Sequence, residues 1–209
     1  MTDLTGLQLR PAGGTKSWPL PPGIRGCAVF SDDPSGDYRY VLYRCWGEND
    51  SSLAVFIGLN PSTAEPRFDD PTVRKCWTWA QSWGFTSFAM LNLFAWRATD
   101  QRDLWNGRTV ADVTGVENDR HVEACAKKAK LVVATWGDGN TKRRDVSERA
   151  WTVRAMLEGI TKVHRLPHAP NQLTKRGNPR HPLYLPTAIK LTDLRVLKPD
   201  LQTSRSHTR

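Results

Sequence analysis

The 209-residue chain has no close pair among its four cysteines, Cys27, Cys45, Cys76 and Cys125, and no metal-ligand spacing. That argues against a disulfide framework or a zinc module; reduced thiols in a cytoplasmic protein are the expectation. No metal is expected. No apolar run approaches the length of a membrane span, so no membrane partner is expected. The N-terminus lacks the positive start and apolar core of a secretory signal. No Gly-x-x-x-x-Gly-Lys loop occurs, and no Gly-x-Gly-x-x-Gly follows a strand. Ordinary nucleoside-triphosphate and dinucleotide enzymes therefore lose support, and no cofactor is expected. Internal repeats are absent. Acidic residues are the minority: 21 Asp and Glu face 30 Lys and Arg, a formal net charge of +9. The excess suits a nucleic acid or nucleotide partner, although a basic surface without a partner has the same composition.

Tryptophan, by contrast, is abundant, with nine copies. Several sit beside charges, as in Trp96-Arg97, which suits either a core or the lining of a groove. Hydrophobic residues at 39 % and charged residues at 24 % are ordinary for one sizeable core. Glycines and prolines crowd residues 1–23, which read as a flexible N-terminal arm. Residues 24–196 read as a single α/β domain and 197–209 as a polar C-terminal tail.

Residues 38–46, YRYVLYRCW, read as an edge strand carrying Arg39 and Arg44. The nearly all-apolar LAVFIGL, 53–59, suits a central strand covered on both faces. Residues 71–83 place Val73, Cys76, Trp77, Ala80 and Trp83 at helical spacing, with Asp70 as N-cap and Pro71 in the first turn. A strand over 86–94, a helix over 116–129, a strand over 131–136, a helix over 146–158 and a short strand over 162–166 follow. The second helix sets Val116, Val122, Cys125, Ala126 and Ala129 near one side. Alternating strands and helices predict a three-layer α/β/α sandwich with a central, mostly parallel sheet. Ligands of such sheets sit beyond the carboxyl ends of the strands, where loops 58–70, 92–103, 136–145 and 167–184 should meet.

Those loops carry the candidate site. Asn60 follows a central strand after Gly58, whose lack of a side chain permits close approach, and its amide can position a water and meet a ligand. Asn60 capping its own turn is the structural alternative. Asn92 follows the next strand between apolar neighbours and can read a base edge or lock its loop. Phe94 and Trp96 lie close enough to stack on a base, and Arg97 joins them as a substrate-binding candidate. His181, held between Pro179 and Pro182, can donate to a developing oxyanion or act as an acid-base group. Arg180 beside it and the basic run Lys142-Arg143-Arg144 suit phosphate. Asp69 is a secondary acid-base candidate. His121 and Cys125, four apart on a helix, have no second ligand pair to complete a metal site.

Five motifs together, Gly58-Leu59-Asn60-Pro61-Ser62, Asp69-Asp70-Pro71-Thr72-Val73-Arg74, Asn92-Leu93-Phe94 with Arg97-Ala98-Thr99, Trp136-Gly137 and His181-Pro182-Leu183-Tyr184-Leu185, resemble a bacterial domain family of unknown function, number 1643. Their order is also similar, more distantly, to the uracil-DNA glycosylase superfamily. That resemblance implies a uracil-DNA-glycosylase-like fold and hydrolysis of an N-glycosidic bond. In it Asn60 would orient the attacking water, Asn92 would read the base edge, and His181 would stabilise charge on the leaving base. Ser62 stands where glycine is usual. Leu183 stands where a phosphate-gripping serine is common, and Tyr184 and Leu185 are placed to act as a wedge. The cysteine cluster of the iron–sulphur branches is absent.

Three function classes follow. The first is a glycosylase-like hydrolase acting on a base in nucleic acid or a modified nucleotide. The second is a non-catalytic nucleic-acid or nucleobase binder on the same scaffold. The third is a metal-dependent small-molecule enzyme using Asp69, Asp70 or His181.

Overall fold

A computed structural model describes residues 18–32, 37–47, 51–139, 145–166 and 173–197. The elements run β1 (Trp18–Pro19), β2 (Arg25–Phe30), β3 (Arg39–Cys45), β4 (Leu53–Gly58), β5 (Phe68–Asp69), α1 (Pro71–Ser82), β6 (Ser87–Asn92), α2 (Gln101–Leu104), α3 (Val110–Thr114), α4 (Asn118–Lys128), β7 (Leu131–Ala134), α5 (Asp145–Glu158), β8 (Val163–Arg165) and β9 (Arg195–Val196). Short 3-10 turns lie at Pro182–Tyr184 and Leu191–Asp193.

Strand alternation sets the layers. Along β4, Val55 and Ile57 point into one core cluster with Val122 of α4 and Val153 of α5. Ala54 and Phe56 point into the other, with Val73, Cys76 and Ala80 of α1. β6 and β7 divide in the same way, with Ala89, Leu91 and Val132 on the first side and Phe88, Met90 and Val133 on the second. All six residues of β4 are buried because both faces are covered. Truncating Phe56, which is fully buried, would cost about 3–5 kcal/mol.

The seven-stranded sheet has the order β2-β3-β6-β4-β7-β8-β9. Its centre, β6-β4-β7-β8, is parallel, while β2–β3, β3–β6 and β8–β9 are antiparallel. The sheet is therefore mixed rather than mostly parallel. The sequence reading left out β2 and the two-residue β9, and these extend the sheet at its two edges. With β2 in place, β3 is interior, not an edge strand, and Arg39 and Arg44 are buried. α4 begins at Asn118, and Val116, placed on its apolar side by spacing, is 92 % exposed. Trp18–Pro19, inside the stretch read as an arm, pairs with β5.

From β4 the chain crosses by α1 to β6 on one side. It returns by α4, on the opposite face, to β7 on the other side. The strand order thus reverses between β4 and β7, and the crevice beyond their carboxyl ends is where such sheets take ligands.

Candidate functional site

The first three helical residues of α1 are fixed by Asp70, whose carboxylate accepts the Val73 N–H at 2.8 Å, and by Pro71 at the helix start. Trp79 of α1 and Trp83 at its C-cap then pin the C-terminal segment on the same side of the sheet. Trp79 Nε1 donates to the Thr187 carbonyl at 2.5 Å and Trp83 Nε1 to that of Ile189 at 2.7 Å. Lys75 Nζ holds the Leu185 carbonyl at 2.5 Å. This anchoring fixes the Pro182–Tyr184 turn, and with it His181. Much of the tryptophan content thus serves packing and backbone carbonyls rather than an exposed groove.

At the reversal point lies a cavity of about 1040 Å³. The loops after β4, β6 and β7 and the C-terminal loop all reach it. Gly58, Asn60, Asn92, Arg180 and His181 line it together. Lys142, Arg143, Arg144 and His168 lie outside the described residues.

Asn60 is half-buried, and both its amide protons are committed: Nδ2 donates to the Ala98 carbonyl at 2.8 Å and to the Pro61 carbonyl at 3.0 Å. Only Nδ2 can serve two carbonyls, so the amide orientation is set, and Oδ1 remains as an acceptor at the cavity. Asn92 is the opposite case. It is 2 % exposed, and its Nδ2 has no hydrogen-bond partner. A buried amide without a partner costs about 1–3 kcal/mol, which a ligand carbonyl would recover.

His181 is half-buried. Its Nδ1 accepts the Leu183 N–H at 3.4 Å, so in the neutral ring the proton sits on Nε2 as a donor. Burial pushes its pKa below the ordinary value of 6.5, against the pull of Asp70 and with the push of Lys75. Gly137, at φ +68°, lets the chain pass beneath the histidine. A Cβ there would stand 3.1 Å from His181 Cβ, and its N–H donates to the Pro179 carbonyl at 2.9 Å.

Several expected residues lie elsewhere. Asp69 is fully buried, paired with Arg44 at 2.9 Å and accepting Trp77 Nε1 at 2.7 Å, and it does not line the cavity. Phe94 is fully buried against Trp105 in the core, so it offers no stacking face. Trp96 packs edge-on against Tyr38 and lies under the Arg108 guanidinium. Arg97 is paired with Glu65 beside the Phe30 ring, outside this cavity. His121 stacks on Tyr40 instead of facing a metal. Leu185 is buried, whereas Leu183 and Tyr184 are exposed at the cavity mouth.

Sequence reasoning missed Arg39, Met90 and Lys175, which also line the cavity. The only available signal for Arg39 was a charge inside an aromatic strand. For Met90 and Lys175 no local signal existed, because their placement depends on strand order and on the return of the C-terminal loop.

No helix among the described residues is long and apolar enough to cross a membrane. No curated protein and no solved structure matches the chain. A family model described as "Protein of unknown function (DUF1643)" matches residues 39–183, a span holding both asparagines and His181. With more than half of its length covered, the chain belongs to the DUF1643 family.

Proposed function

We propose that the cavity binds a nucleobase and that the protein hydrolyses an N-glycosidic bond, in nucleic acid or in a modified nucleotide. One observation carries this reading: the buried Nδ2 of Asn92 has no hydrogen-bond partner, and Asn92 lines the same cavity as Asn60 and His181. Its Nδ2 would donate to a base carbonyl while Oδ1 accepts an adjacent ring N–H. The free Oδ1 of Asn60 would accept from a water aimed at the sugar. The water oxygen bonds to C1′ as the C1′–N bond breaks, and the bonding pair leaves on the base. The Nε2–H of His181 would stabilise the anion formed there, and the water's second proton leaves to solvent. The likeness of motif order to the uracil-DNA glycosylases supports these roles, and so does the reversal of strand order at the cavity. The net charge of +9 favours a polyanion, and a base in duplex would have to be flipped out to reach Asn92.

The test is base release by the purified chain, read by mass spectrometry on modified oligonucleotides and nucleotides. Asn60→Ala and Asn92→Ala serve as paired variants. Release abolished in both supports the hydrolase. The bonds from Asn60 to two carbonyls of its own loop favour a second reading, a nucleobase binder without hydrolysis. Binding that needs Asn92 but tolerates Asn60→Ala, with no release from any substrate, would establish it.

A further inference from the structure

β3 buries two arginines, and they are satisfied very differently. Arg44 pairs with Asp69 and donates to the carbonyls of Tyr43, Glu65 and Phe68. Arg39 is 2 % exposed and forms no ion pair among the described residues. Its Nη1 donates to the Ala64 carbonyl, and its Nε has no partner. Burial lowers its pKa only to about 10, so the charge persists at neutral pH. Asp70, the strongest of the charges offsetting that burial, makes no ion pair with it. A buried cation offset only at a distance, by Asp70 and Glu65 against the push of Arg97 and Arg44, gains from an anion in direct contact. Arg39 lines the cavity, and so do Ser62 and Thr63, two and one residues before the carbonyl that Arg39 holds.

We propose that Arg39 is a buried anion subsite, which takes an anionic oxygen group of the ligand, a phosphate or a carboxylate, into the cavity together with the base. A guanidinium matches such a group, its fork of N–H donors fixes the orientation, and Ser62 and Thr63 at the same cavity can add hydroxyl donors. An internal phosphodiester has chain on both sides and stays at the surface. A group enclosed against Arg39 is therefore terminal: the phosphate of a free nucleotide, or a carboxylate on a modified base. This inference rests on the reading above only in placing the base in this cavity.

The experiment is calorimetric titration of the full chain with inorganic phosphate, with the common nucleosides against their 5′-monophosphates, and with uracil against 5-carboxyuracil. The expected result is a preference for one charged member of at least about tenfold. Arg39→Gln should remove that preference while affinity for the neutral member stays. Arg39→Lys should keep part of it, and Lys162→Gln, exposed and away from the cavity, should keep all of it. A phosphate preference identifies the nucleotide source and a carboxylate preference the modified base. Equal affinity for charged and neutral members, no binding of any anion, or a preference that survives Arg39→Gln overturns the proposal. Should Arg39→Gln fail to fold, the arginine Nε–H resonances of the wild type decide. Adding the preferred anion should shift that of Arg39 and leave Arg44 in place, and an unmoved Arg39 signal overturns the proposal. Arg39-dependent anion binding without base release would sink the hydrolase and leave the subsite. Asn60-dependent release without anion preference would do the reverse.

Discussion

Gly58 and Asn92 stand opposite each other in the parallel register of β4 and β6, and a Cβ on Gly58 would lie 2.8 Å from Asn92 Oδ1. The same Cβ would lie 2.9 Å from Met90 Cε. The glycine is thus needed for the space it leaves above two cavity residues, rather than for backbone freedom.

Gly58→Ala should therefore displace the Asn92 amide. Overpacking of this kind costs about 1–3 kcal/mol, so urea denaturation should show a moderate loss. Base binding should fall by more than that loss explains, by at least about tenfold, because the amide must hold its geometry to read two atoms at once. Binding unchanged in a folded Gly58→Ala variant would separate Asn92 from the ligand.

Asn92→Ala and Asn118→Ala should differ in what they cost the fold. Asn118 Nδ2 donates to the carbonyls of Asn92 and Leu93, both at 3.1 Å, and Arg149 Nε keeps the second of these at 2.8 Å, so the loss of Asn118 removes two buried hydrogen bonds and should cost about 1–3 kcal/mol. Asn92 Nδ2 has no partner to lose, and removing an unsatisfied buried donor offsets the small cavity left behind. Chemical denaturation should place Asn92→Ala within about 1 kcal/mol of wild type while ligand binding disappears. A large destabilisation by Asn92→Ala would mark the side chain as structural.

The contrast shows what the sequence could carry. Asn60, Asn92 and His181 were legible because each ends or follows a strand or sits between prolines, and loops at one end of a parallel core converge whatever their details. The Asp70 cap was legible for a local reason: carboxylate, proline and apolar spacing lie within one turn. Phe94 and Asp69 were misplaced because sequence gives adjacency but not direction. Phe94 turns into the core, and Asp69 is claimed by Arg44, 25 residues away in sequence. Arg39 could not be placed at the cavity without knowing that β2 covers β3 and makes it interior.

The Arg44–Asp69 pair gives a third test. Its side chains are 0 % and 1 % exposed, so removing either partner leaves an uncompensated buried charge or its remnant. Arg44→Met and Asp69→Asn should each destabilise the protein, by up to about 3–5 kcal/mol in the case that leaves a full charge behind. Turnover per folded molecule should stay the same in both. Activity lost in Asp69→Asn but kept in Arg44→Met would return Asp69 to the chemistry.

The last prediction concerns pH. The folded pKa of His181 lies below 6.5, so between the two values the unfolded chain binds more protons than the folded one. Stability then rises with pH across that window and is lost as pH falls below 6.5. His121 shifts in the same direction, so the contribution of His181 is the slope that His181→Gln removes. Activity should follow the neutral ring, whose Nε2–H is the donor, and its acidic limb should lie below pH 6.5. Asp70 raises the His181 pKa and Lys75 lowers it. Asp70→Asn, which keeps the helix cap, should therefore move the limb to lower pH, and Lys75→Met should move it higher. Opposite displacements in the pH–rate profile would tie the limb to His181. Displacement in the same direction, or none, would assign it to another group.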